Sequence, residues 1–255
     1  MQFQVGTMRD LFIIVASILV ACSTTRGQIA PAPGPTAAEI AARMLRHDMQ
    51  RQTASGGYSG IRQYAVENRR FGRHASMEVH VACDAEGAER FRIASEEGWE
   101  SANEHVLPRI LEEETKASRP SEQSRSRISP DNYTFQKVGT ELLDGQPAYV
   151  IDLFPKRRDQ LLFRGRIWVD ASDYALARVE GQTANPSFWV RNVHFTWQAR
   201  KSDGYWFPVS TKAVIDIRIL GQVEVSIRYL DYLPNVKPDS KTGFPVLAEM
   251  TAGRP

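Results

Sequence analysis

The strongest pattern in the chain is period-two alternation of apolar and polar positions between Gln146 and Asp231. The stretch opens with QPAYVIDLFP, continues through FRGRIWVD, ALARVEGQ and SFWVRNVHFTWQAR, and closes with YWFPVSTKAVIDIRIL and QVEVSIRYLDY. The last two runs are the cleanest. Phe207, Val209, Ala213, Ile215 and Ile217 share one face, against Ser210, Lys212, Asp216 and Arg218 on the other. Val223, Val225, Ile227 and Tyr229 likewise oppose Gln222, Glu224, Ser226 and Arg228. Such alternation predicts a sheet with one buried face and one wetted face. The apolar face needs a cover.

Three further runs, YSGIRQYAV, HASMEVHVAC and AERFRIAS, read as earlier strands. Turn chemistry separates the later ones: Asp144-Gly145 is a strong hairpin signal, and short loops fall at Asp170–Asp173, Ser202–Gly204 and Leu220-Gly221. Connections this short cannot carry a parallel crossover, so the strands run antiparallel in sequence order. The prediction is an α+β, mainly β fold. It consists of a single large curved antiparallel sheet of about ten or eleven strands, which twist curls into a barrel or an incomplete β-barrel.

Two segments change period from two to 3.6. Thr36-Ala37-Ala38-Glu39 matches a capping box, and Ala37, Ile40, Ala41, Met44 and Leu45 then form a stripe that predicts a helix to about Arg51. Val106, Leu107, Ile110 and Leu111 predict a second helix over about 103–118, with Pro108 in its first turn. These are the N-terminal helix and the helical lid insertion of the half-barrel. RPSEQSRSRISP, which follows, lacks apolar periodicity and is expected to be a mobile, solvated loop, despite the nearby Arg109, Arg119, Arg125 and Arg127.

Residues 8–22 read MRDLFIIVASILVAC, an apolar run too short to span a bilayer and shaped like a signal-peptide core. Its end, Leu19-Val20-Ala21-Cys22, resembles the bacterial lipobox, which implies lipid attachment at Cys22; Asp10 departs from the usual basic leader. An ordinary signal cut near Ala21 or an uncleaved anchor are the alternatives. Ser23 after the cysteine implies, by resemblance to Gram-negative sorting, an outer-membrane lipoprotein facing the periplasm, the alternative being a soluble periplasmic protein. The expected organisation is a signal peptide with lipobox at 1–22, a flexible Pro/Gly-rich tether at 23–35, the half-barrel at 36–233 and a loose tail at 234–255.

Composition narrows the chemistry. Across 255 residues, a net charge of +2 offers no concentrated basic face for nucleic acid. The two cysteines, Cys22 and Cys83, lie in unlike surroundings, and Cys83 falls in apolar phase as a small buried hydrophobe. His47, His74, His80, His105 and His194 form no metal-ligand spacing, and no nucleophile elbow, dinucleotide fingerprint or phosphate loop occurs. Glu112-Glu113-Glu114 reads as a solvated helix face. No catalytic residues, metal or cofactor are expected.

Aromatic density is the remaining feature: Trp168, Trp189, Phe195, Trp197, Tyr205, Trp206, Phe207 and Tyr229 all belong to the later strands. Plain core packing accounts for some of them. The alternative is a lidded apolar pocket between sheet and helices. The runs GQPAYVIDLFPK, FRGRIWVDASDYALARVEG and DGYWFPVS, with an exported N-terminal helix and a helical excursion, resemble the outer-membrane lipoprotein-sorting family, the LolA/LolB-like carriers and receptors. The resemblance spans about residues 36–232. It implies an apolar face that binds lipoprotein acyl chains or other lipids, membrane attachment through the N-terminal lipid, and a periplasmic carrier as partner. On this view Met77, Val79, Phe91, Ile151, Ile167, Trp189, Phe195, Trp197, Phe207, Ile215, Ile217 and Ile227 line the ligand face. Leu161 and Leu162, beside basic Lys156-Arg157-Arg158, are a candidate membrane-contact loop, or simply lead into the next strand. A sensor or scaffold on the same fold, acting through protein contacts, is the competing function.

Overall fold

The computed structural model describes residues 34–54, 57–84, 89–117, 120–186, 190–202, 204–218 and 221–234. Cys22, Trp189 and the tail beyond 234 lie outside them. Helix α1 (Ala37–Ala54) leads into strands β1 (Tyr58–Asn68), β2 (Arg73–Cys83) and β3 (Glu89–Gly98). Helices α2 (Glu100–His105), α3 (Leu107–Ala117) and α4 (Pro120–Ser126) follow. Seven strands complete the order: β4 (Tyr133–Leu143), β5 (Gln146–Pro155), β6 (Phe163–Asp170), β7 (Leu176–Thr183), β8 (Val190–Ser202), β9 (Tyr205–Ile217) and β10 (Gly221–Pro234).

All ten strands form one antiparallel sheet in the order β3-β2-β1-β10-β9-β8-β7-β6-β5-β4, and it does not close. The mainly β, open-barrel architecture predicted from the alternation is therefore present. The β1–β10 pairing joins the early hairpins to the late meander. It leaves β3 and β4 as the two edges, and α2–α4 is the chain that connects one edge to the other. Each edge carries a register shift, opposite Glu78/Val79 on β3 and between Lys137 and Gly139 on β4. Bulges at open edges hinder pairing with a further strand.

Local chemistry sets the ends of these elements. The capping box forms as expected: the Thr36 amide donates to Glu39 Oε2 at 2.8 Å, and the Glu39 amide donates back to Thr36 Oγ1 at 3.3 Å. Asp144 and Gly145 both have positive φ, 49° and 81°, as a type I′ hairpin requires. The segment expected to be a mobile loop instead contains α4. Buried Asn132 holds its exit, its side-chain amide donating to the carbonyls of Ser124 (3.1 Å) and Arg127 (2.8 Å). Short helices held by such contacts need no apolar stripe, which is why the pattern missed this one.

The apolar face of the sheet is packed at two places. Tyr64, Val66, Met77, Val79, Val81, Val223, Val225 and Ile227 form one cluster with Ala102, Leu107 and Leu111 of α2–α3. Tyr133, Ile151, Leu153, Ile167, Val169 and Val179 form the other with Ile40 and Met44 of α1. Among the described residues no helix is long and apolar enough to cross a membrane.

Candidate functional site

The predicted ligand-face residues divide between these two clusters. Met77, Val79 and Ile227 are buried in the first, with Phe91, Ile215 and Ile217 packed against it. Ile151 and Ile167 are fully buried in the second, with Phe195 and Trp197 packed against it. Phe207 does not join them. A register shift between Gln198 and Ala199 pairs Phe207 with Arg200, so the residue leaves the row of Ala213, Ile215 and Ile217. A bulge of one residue reverses side-chain parity beyond it, which strict alternation cannot anticipate.

Cover is uneven across the apolar face. On β1–β2 and on β5–β6 most inward residues are buried, with Tyr58, Tyr149 and Phe163 part-buried. On β8 and β9, between the two clusters, Phe195, Trp197, Thr211, Ala213, Ile215 and Ile217 are only part-buried, although their register partners place them in the same rows. Among the described residues, neither α1 nor α2–α3 covers this strip as it covers the flanking strands.

A charged knot lies beside the strip. Arg62 occupies the apolar phase of β1, in step with Tyr64 and Val66, and is 6% exposed. Its guanidinium donates to Glu89 Oε1 at 2.6 Å, to Glu114 Oε2 of α3 at 2.8 Å and to the Tyr232 hydroxyl at 2.7 Å. It also lies 5.5 Å from the ring centroids of both Phe91 and Tyr229. Tyr64 donates to the same Glu114 oxygen at 2.8 Å, and the Tyr58 hydroxyl donates to Glu89. Burial pushes the Glu114 carboxyl above its usual value, opposed by Arg62 and Tyr64. Burial and the neighbouring carboxylates hold the Tyr58 and Tyr64 hydroxyls firmly protonated. Glu114 is therefore an inward tie between helix and sheet, not the solvated residue expected of a glutamate run. The legible signal was Arg62, a cation in an apolar row.

The other candidates sort plainly. Leu162 is 1% exposed within the second cluster, so it is a core residue and not part of a membrane-contact surface; Leu161 is part-buried beside it. The stretch before β6 is held by Asp159, whose carboxylate accepts from the Leu161 amide at 3.0 Å and from Arg125 at 3.2 Å. Cys83 is buried, and burial raises its thiol, as for a packing residue. A groove of about 950 Å3 opens on the opposite, polar face of the sheet, and of the predicted ligand-face residues only Phe195 lines it.

An open antiparallel sheet packed on one face by short helices defines the class of protein. Residues 108–235 match the family of unknown function DUF5686, and the chain belongs to that family. No curated protein matches it. The structure is similar to a domain named for outer membrane lipoprotein sorting from Vibrio parahaemolyticus, at 12% identity over 78% of this chain and 95% of that one, with a TM-score of 0.39. It is also similar to a DUF1329 family protein from Desulfovibrio piger, at 12% identity over 80% and 95%, TM-score 0.40. A LolA superfamily protein from Nitrosomonas europaea is similar at 12% identity over 80% and 96%, TM-score 0.37. The family resemblance read from the sequence is met by likenesses of this kind, all at low identity.

Proposed function

We propose that this chain is an envelope protein that holds acyl chains, of a lipoprotein or another lipid, against the β8–β9 strip of its apolar face. A lipid on Cys22 anchors it to the outer membrane, facing the periplasm. The observation that carries the proposal is the uneven cover. Phe195, Trp197, Ile215 and Ile217 face the same side as two fully packed clusters yet remain part-exposed. Apolar surface left open to water between rigid walls is stabilised by an apolar occupant, at about 25 cal/mol for each Å2 covered. The aromatic rings supply contact area, and the absence of a charge in these rows favours hydrocarbon over a polar ligand.

The Arg62 knot fits this role as the point where α3 is held to the sheet beside the strip. Binding of a fluorescent fatty acid to the signal-less protein tests the proposal. Wild type is expected to saturate at one site or a few, and Trp197→Glu with Ile215→Glu is expected to lower affinity roughly tenfold or more by placing carboxylates in the strip. Unchanged affinity in a folded double variant would overturn it, in favour of a sensor or scaffold that acts through protein contacts.

A further inference from the structure

The groove on the polar face has a charge arrangement that the lipid reading does not use. Its floor is the Gly165–Gly181 pair, directly opposite across β6 and β7. Neither glycine has room for a side chain: a Cβ on Gly165 would stand 1.9 Å from the Glu180 carbonyl oxygen, and one on Gly181 2.6 Å from the Phe163 ring. Both glycines stand in the row of Leu153 and Phe195, which faces the apolar side, so the groove side shows their backbone, and the outward side chains of the surrounding strands form its walls.

Every carboxylate in those walls has its own arginine. Asp152 accepts from Arg166 at 2.7 Å, Glu224 accepts from Arg69 at 3.3 Å, and Glu180 is paired with Arg178. Two cations remain. Among the described residues neither Arg164 nor Lys212 has a carboxylate partner; Arg164 lies over the Phe154 ring, 5.0 Å from its centroid. Hydrogen-bonding side chains stand between them. Arg164 faces Gln182, Gln182 faces His194, and Thr196 faces Lys212. At strand spacings of about 4.8 Å, and with Lys212 two residues along its strand from the row of Arg164, the two backbones are roughly 16 Å apart, and two long side chains can lean toward the two ends of one ligand.

We propose that this groove binds a phosphate-bearing ligand between Arg164 and Lys212, with Gln182, His194 and Thr196 as hydrogen-bonding partners. A guanidinium fork and an ammonium point charge, neither with a carboxylate partner among the described residues, suit a phosphoryl group better than a neutral polar molecule. The same chemistry occurs in a soluble phosphate compound and in an anionic lipid headgroup. Because the groove lies on the face opposite the acyl strip, its occupancy is independent of the lipid proposal.

Calorimetric titration of the mature protein with pyrophosphate, and co-sedimentation with phosphatidylglycerol vesicles, test the site. Arg164→Glu/Lys212→Glu is compared with Arg90→Glu/Arg92→Glu, an equal change of charge on β3 away from the groove, and thermal unfolding confirms that each variant is folded. If the first pair does not fold, Arg164→Gln and Lys212→Gln are used singly. Saturable pyrophosphate binding that falls about tenfold or more in the groove variant but not in the β3 variant establishes a soluble ligand. The same pattern with vesicles alone establishes a headgroup. Failure of both probes to bind, or equal loss in both variants, overturns the proposal.

Discussion

The Arg62 guanidinium of β1 lies 2.8 Å from the Glu114 carboxylate of α3, across 52 residues of sequence. One buried cation on the sheet thereby fixes a helix of the insertion that connects the two sheet edges. Arg62 also serves Glu89 at the head of edge strand β3.

Loss of Arg62 leaves two carboxylates in apolar surroundings without a counter-ion. Arg62→Leu is expected to cost about 3–5 kcal/mol of stability in urea unfolding. Adding Glu89→Gln and Glu114→Gln to that variant is expected to restore part of it, because the carboxylates no longer need a cation. Wild-type stability in Arg62→Leu would show that the knot is not an energetic tie.

Two carboxyls should give opposite signatures against pH. Burial raises Glu114 above its usual 4.5, so its contribution is complete below that value and fades as pH rises through the raised one. The stability difference between wild type and Glu114→Gln is therefore expected to move against wild type as pH rises from about 4.5. Asp173 behaves inversely. Although burial opposes it, hydrogen bonds from Lys201, Trp206 and the Ala175 amide bring it from 3.8 down to about 2. Its contribution is present above 3.8 and lost as pH falls toward 2, so the advantage of wild type over Asp173→Asn should shrink over that interval. Parallel curves in either comparison would contradict these environments.

Gly165 is held to glycine by the neighbouring strand. Gly165→Ala is expected to lower stability by about 3 kcal/mol, the upper end of what overpacking usually costs. Gly139→Ala, where a Cβ meets nothing within 4 Å, is expected to be close to neutral. Equal midpoints for the two in chemical denaturation would show that the β6–β7 approach is not tight.

Much of this fold was legible because alternation and turn residues are local signals. The strands from Gln146 onward, the capping box at Thr36 and the Asp144-Gly145 turn all appear where the residues place them. Non-local events were not legible. The β1–β10 pairing depends on the whole chain, and the bulge that turns Phe207 away depends on a partner strand. Glu114 looked solvated because its counter-ion lies on β1, and Leu162 looked like a loop residue because the cluster that buries it comes from other strands and from α1. The division of the apolar face into two packed clusters and an open strip is likewise a matter of which strands the helices reach.

Mass spectrometry of an organic extract from the purified, signal-less protein tests the apolar-strip proposal most directly. Bound acyl species at a fixed ratio to protein, displaced in Trp197→Glu/Ile215→Glu, are the predicted result. A folded wild-type protein that carries no acyl species, and takes up none when offered, would contradict it.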